Sequence, residues 1–137
     1  MRISQKADYA LRAMLELARQ PANQTVRSAD VAQRQAIPEK FLEMILVDLR
    51  RAGLVQSQRG QAGGHRLARA AERITVGAIW RAMDGQIAEA PSGDKNGPFA
   101  YIWRQVDEAV NHVVDNVSLD DLRKRVESGQ TVPDFDI

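Results

Sequence analysis

The side chains best placed for chemistry crowd into residues 50–69. Arg50, Arg51, Arg59, His65, Arg66 and Arg69 fall there with no Asp or Glu between them. Guanidiniums stay charged at any working pH and present planar forks of donors that match phosphate oxygens, so such a stretch binds anions rather than moving protons. Just upstream, Glu39, Lys40 and Glu43 alternate in sign. A carboxylate there carries the wrong charge for phosphate but can accept from the amino group of cytosine. Basic residues beside a short acidic and basic helix face are the footprint of a nucleic-acid binder.

Other constellations carry less. His112 follows Glu108 by four residues and precedes Asp115 by three, so the three meet on one helix face. One helix offers too few ligands there, and a solvated polar face accounts for the spacing. The chain holds no nucleophile–base pairing, P-loop or dinucleotide fingerprint. Gly63-Gly64 fits a hairpin turn. No catalytic residue and no metal ligand set is assigned, and the chain is not expected to be an enzyme. Cysteine is absent, which excludes disulfides, thiolate-held zinc and thiolate-ligated iron–sulfur clusters.

The elements that must position these residues follow from spacing. Pro38 suits the first turn of a helix, and Leu42, Ile45, Leu46 and Leu49 then form one apolar stripe. Glu39, Lys40, Glu43, Val47 and Arg50 lie opposite. Gly53 stops this helix, with Arg50 and Arg51 favourably placed in its last turn. Residues 54–60, LVQSQRG, and 65–69, HRLAR, read as two short strands around a QAGG turn. Upstream, Ser28 is predicted to cap a short helix through Ala29, Val31 and Ala32 that ends near Gln35, with the break at Ile37 before the proline. Two short helices and a basic hairpin make a winged helix-turn-helix, whose second helix enters the DNA major groove.

The rest is mostly helical. Ser4 caps a helix over 4–20, with Ala7, Leu11, Met14 and Ala18 on one face. Thr25-Val26-Arg27 could pair with the wing. Residues 70–73 form a polar connector, and a helix from Thr75 presents Val76, Ile79, Trp80 and Met83 before Gly85 stops it. Residues 86–98, QIAEAPSGDKNGP, form a long loop. A helix over 99–117 carries Phe99, Trp103, Val106, Val110, Val113 and Val117 at spacings of four, three, four, three and four, a heptad seam read as a dimerisation surface. Ser118 caps a last helix with Asp120 and Asp121 in its first turn. The expected fold class is mainly α with a small β-hairpin wing. A DNA-binding unit spans 1–85, dimerisation and C-terminal helices span 99–128, and a frayed tail spans 129–137.

The net charge of +1 hides a division. Residues 1–70 hold twelve basic and six acidic side chains, net +6, and residues 71–137 hold seven basic and twelve acidic, net −5. One half suits a polyanion and the other does not. With no run of eighteen apolar residues and no signal peptide, a cytoplasmic location and no membrane association are expected.

Several stretches together carry a family resemblance. They are KADYAL at 6–11, Phe41-Leu42-Glu43, Leu49, AGLV at 52–55, SQRG at 57–60, GGHRLA at 63–68, Ile74-Thr75-Val76, RAMDG at 81–85 and VSLDDL at 117–122. In this order, covering residues 1–125, the chain resembles the Rrf-two family of winged helix-turn-helix bacterial transcriptional regulators. The resemblance implies a homodimer crossing through the long helix. It implies that Pro38, Glu39, Lys40 and Glu43 meet base edges at the start of the recognition helix, and that Arg59 enters the minor groove, where a narrow groove concentrates negative potential. Motif and resemblance together nominate Ser28, Pro38, Glu39, Lys40, Glu43, Arg50, Arg51, Arg59, Gly63, Gly64 and His65 for double-stranded DNA.

One departure bears on mechanism. Many members hold an iron–sulfur cluster on three cysteines in the loop before the long helix, and this loop has none. Asp8 matches a position that supplies a carboxylate ligand in some members, but one carboxylate cannot hold a cluster alone. The chain therefore senses another signal, senses nothing and is controlled by abundance, or is a variant with cysteines replaced, with Ala88, Ala90 and Ala100 as the candidate positions. No cofactor is expected. Tyr101 and Trp103, with Tyr9 of the partner subunit, are the candidate pocket for a small-molecule effector, unless these aromatics are only core under the loop. The expected function is a homodimeric, sequence-specific DNA-binding repressor without a cluster. The alternative is a ligand-sensing or protein-interaction module that has lost specific DNA binding.

Overall fold

A computed structural model describes residues 2–61, 63–87 and 96–129. Its elements are α1 (Gln5–Ala18), α2 (Ser28–Gln35), α3 (Glu39–Arg51), β1 (Val55–Gln58), β2 (Gly64–Leu67), a 3-10 turn at Ala71–Arg73, α4 (Val76–Asp84), α5 (Pro98–Asp115) and α6 (Leu119–Glu127). The fold is mainly α with one antiparallel hairpin, as the spacing predicts. Most of the expected loop (88–95) and all of the expected tail after Gly129 lie outside the described residues.

One core serves the described helices apart from most of α5. Met14 from α1, Leu42, Ile45, Leu46 and Leu49 from α3, Ile74, Ile79 from α4 and Leu119 from α6 are fully buried. The apolar stripe of α3 is therefore spent on the core, which leaves its opposite face free for recognition. α1 holds the helix-turn-helix from behind. Its Arg12 donates to the Gln35 carbonyl at 2.9 Å, capping α2 from outside. Its Glu16, buried, accepts from the Gln35 amide at 2.6 Å and from Arg19 at 3.3 Å, with Arg34 3.8 Å away. A buried carboxylate needs such donors, so α1 and α2 are bonded as well as packed.

The turn between α2 and α3 works through backbone conformation. Ala36 adopts the left-handed region at φ 53°, and the Ile37 amide returns to the Ala32 carbonyl at 2.9 Å. This is a helix C-cap without glycine. Two boundaries differ from expectation. Ser28 is not the N-cap of α2: Arg27 takes that place, without a side-chain capping bond. The cause lies upstream, where Val26 exchanges two backbone bonds with His65, 2.8 and 2.7 Å, leaving Arg27 extended so that the helix begins one residue early. Pro38 is likewise the N-cap of α3 rather than a residue of its first turn.

α4 docks α5 closely. Arg81 grips both oxygens of Asp115, at 2.7 and 2.9 Å, and the Asn111 side-chain oxygen at 2.6 Å. Gly77 makes the approach feasible, because a Cβ there would strike Asp115 Oδ1 and lie 3.0 Å from Val114. α5 starts at Pro98 and ends at Asp115, two residues short of the expected Val117. The chain leaves the helix there because Val117 and Ser118 pair with Val76 and Thr75: the Val76 amide donates to the Val117 carbonyl at 2.9 Å. Val117 is therefore not part of the helical seam. Ser118 does cap α6, in a reciprocal box with Asp121. At the other end of α4, Asp84 accepts from the Ser4 hydroxyl at 2.5 Å, the Ser4 amide at 3.2 Å and the Trp80 indole at 3.1 Å. Ser4 meanwhile caps α1 through Ala7, so one serine joins the start of α1 to the end of α4.

Candidate nucleic-acid interface

The outward face of α3 presents Glu39, Lys40, Glu43 and Arg50 exposed, with Val47 half-buried. Among the described residues, no side chain bonds to or pairs with Lys40, Glu43 or Arg50. Their charges are thus uncommitted. Arg51 is exposed beside Asp48, which is taken by Lys6 at 2.7 Å. That bond, with Lys6 and Arg51 as nearby cations, holds the Asp48 carboxyl below its usual range against a modest upward push from burial.

The wing rises from the end of α3. β1 pairs with β2 in the register Val55↔Leu67, Gln56↔Arg66, Ser57↔His65 and Gln58↔Gly64. Gly63 and Gly64 are required by close approach. A Cβ on Gly63 would strike the Gln58 carbonyl, and one on Gly64, whose φ is 149°, would lie 2.7 Å from the Val26 carbonyl. Their role is to build the turn. Arg27 steadies the tip by donating to the Gln61 carbonyl at 2.7 Å. Arg59 stands exposed just past β1, with no bonded partner among the described residues.

Between α3 and the wing lies a cleft of about 260 Å³ lined by Ser28, Glu43, Leu46, Val47, Arg50, Ser57 and His65. Four nominated residues, Ser28, Glu43, Arg50 and His65, thus meet in one place. The His65 ring shares a 2.8 Å hydrogen bond between Nδ1 and the Ser57 hydroxyl. Burial lowers the His65 pKa, the Arg50 cation lowers it further, and Glu43 offsets part of this. The ring is therefore uncharged at neutral pH. Pro38, Glu39 and Lys40 sit outside the cleft at the start of α3, and Arg59 sits beyond it at the wing tip. Sequence reasoning missed Met44, 67% exposed on α3. The signal was there: positions 40, 44, 47 and 51 stand opposite Leu42, Ile45 and Leu49 on a 3.6-residue helix.

Among the described residues, the seam of α5 is left largely open. Phe99 is 69% and Val113 61% exposed, Trp103 and Val106 are exposed, and Val110 is half-buried. Only Val114 of this helix is buried. Tyr101 stands exposed on the same helix, its hydroxyl accepting from Gln105 at 2.9 Å. Tyr9 packs edge-on against Phe41, ring centres 5.8 Å apart, with Arg12 over its face at 4.9 Å.

A helix-turn-helix with an appended antiparallel wing defines a winged-helix protein. Residues 3–125 match the Rrf2 family, described as iron-dependent transcriptional regulators, and the chain belongs to that family. It is 34% identical over 129 residues to the HTH-type transcriptional regulator IscR of Erwinia tasmaniensis, covering 89% of this chain and 78% of that one. The structure of CymR, the global cysteine regulator of B. subtilis, superposes with a TM-score of 0.84 at 34% identity, over 90% of this chain and 97% of that one. IscR of T. potens gives 0.81 at 32%, over 96% and 93%. The chain is thus a transcriptional regulator of the Rrf2 (Rrf-two) family. No helix among the described residues is long and apolar enough to cross a membrane.

The donor set does not fit a thiolate-held iron centre. The chain contains no cysteine, Asp8 lies exposed 3.3 Å from Arg12 Nε, and the described residues bring no three His, Asp or Glu side chains together. Asp115 is committed to Arg81, and His112 lies 3.4 Å from the Asn116 amide.

Proposed function

We propose that this chain is a homodimeric, sequence-specific DNA-binding repressor that works without an iron–sulfur cluster. The observation that carries the reading is the uncommitted charge of Lys40, Glu43 and Arg50 on α3 beside the unpaired Arg59 of the wing. A helix with free donors and acceptors on the face away from the core is what base edges in a major groove require. Residues 1–85 form the reading head, and the apolar stripe of α5 joins two copies so that two heads meet two half-sites. With no thiolate available, control passes to another signal or to protein abundance. Tyr101 and Trp103 near the start of α5, with Tyr9 of the partner subunit, are the proposed place for an organic effector.

Selection of genomic fragments with purified protein tests the reading. A shared, two-fold symmetric sequence among the bound fragments is expected, and Glu43→Ala should lower discrimination against random DNA more than it lowers affinity. Fragments with no common sequence would sink it. Protein purified without oxygen should be colourless, and a metabolite that stabilises it through Trp103 should also change operator affinity.

A further inference from the structure

The outer side of the wing carries a second cationic site. A cleft of about 590 Å³ runs between the end of α3 and β1, lined by Arg50, Arg66 and Arg69 together with Gly53, Gln56, Ser57 and Gln58. No carboxylate among the described residues pairs with any of these three arginines. Arg66 bonds only the neutral Gln56 amide oxygen, at 3.2 Å. The Arg69 guanidinium passes Gly53, which takes a left-handed φ of 77° at the end of α3. Arg66 and Arg69 also border Glu72, Asp120 and Glu127 in a neighbouring cleft, yet none of these carboxylates pairs with them. Three guanidiniums lining one cleft favour an entering anion. Two arginines outside the cleft, Arg81 and Arg123, each hold carboxylates within 3 Å.

This cleft adjoins the one between α3 and the wing, because Arg50 and Ser57 line both. DNA lying on α3 with its minor groove at Arg59 must carry a sugar–phosphate strand past that shared border. We propose that Arg66 and Arg69, with Arg50, hold backbone phosphates flanking the bases read by α3, clamping the duplex from the outer side of the wing. This rests on the DNA-binding reading above and extends it to Arg66 and Arg69, which contact no base. Such contacts fix register and add affinity without sequence information.

The test compares wild type, Arg66→Gln/Arg69→Gln and Arg66→Lys/Arg69→Lys on a selected operator duplex and a random duplex of equal length, across a salt series. The glutamine pair should weaken both duplexes by the same factor, roughly tenfold at physiological salt, and make the log affinity against log salt slope shallower by about two. The lysine pair should restore the wild-type slope, since a phosphate needs charge more than a fork. Glutamine variants that melt and assemble like wild type yet keep its affinity and slope would overturn the clamp while leaving the regulator reading intact. A loss confined to the operator would overturn it too, by making these arginines base readers. Wild-type protein that binds neither duplex would overturn the regulator reading and the clamp with it.

Discussion

At the residue scale, the proposed interface would divide into side chains that discriminate and side chains that hold. Arg59 is exposed just past β1, with no partner among the described residues. Arg59→Ala should reduce operator affinity by about 1–3 kcal/mol, measured by titration at physiological salt. Unchanged affinity would remove it from the site. His65 carries a different signal. Its depressed pKa, caused first by burial and then by Arg50, means that the unfolded chain takes up a proton before the native one does. Stability should then be complete above the ordinary imidazole value of about 6.5 and decline as pH falls below it. Melting of wild type against His65→Gln over about pH 7.5 to 5 isolates this, because every other side chain is common to both proteins. A difference that stays flat would exclude the coupling. The basic hairpin and the face of α3 were legible from residue types alone. Met44 was not singled out, although the apolar stripe of Leu42, Ile45 and Leu49 already placed it on the outward face.

At the scale of elements, periodicity predicted the described helices and the hairpin, while boundaries moved by one or two residues. At two of these boundaries a backbone bond to another element decided the matter: Val26 with His65 at α2, and Val117 with Val76 at α5. Such pairings are long-range and leave no local trace in sequence. The same holds for the joint between α4 and α5. Gly77 reads as a weakness in a helix, yet it is the point where Asp115 and Val114 come closest. Gly77→Ala should destabilise the protein by about 1–3 kcal/mol through overpacking, despite the better helix propensity of alanine. Thermal or denaturant unfolding measures it, and a stabilised variant would show that α5 can shift freely. Acid should loosen this joint as well. Arg81 holds the Asp115 carboxyl below its usual range, so the pairing is complete above the unfolded value and is lost as pH falls through the folded one.

At the scale of the whole molecule, one core gathers most of the described helices while α5 stands largely exposed. α5, about 27 Å long at 1.5 Å per residue, keeps a single side chain buried in its own chain. The heptad spacing made this visible beforehand, although what covers the stripe is set by surfaces that one chain does not contain. Val106→Asp with Val110→Asp should yield monomers with weak DNA binding, because an unpaired charge in an apolar seam is costly. Sedimentation reads the outcome, and a doubly substituted protein that stays dimeric would move the interface elsewhere. The stripe also has a consequence for dosage. A reader active only as a pair fills its sites in proportion to the square of free monomer while pairs are scarce, so halving the supply cuts occupancy by about fourfold. Synthesis and degradation alone would then give a sharper-than-linear response, and a chain without thiols could keep a threshold without sensing anything.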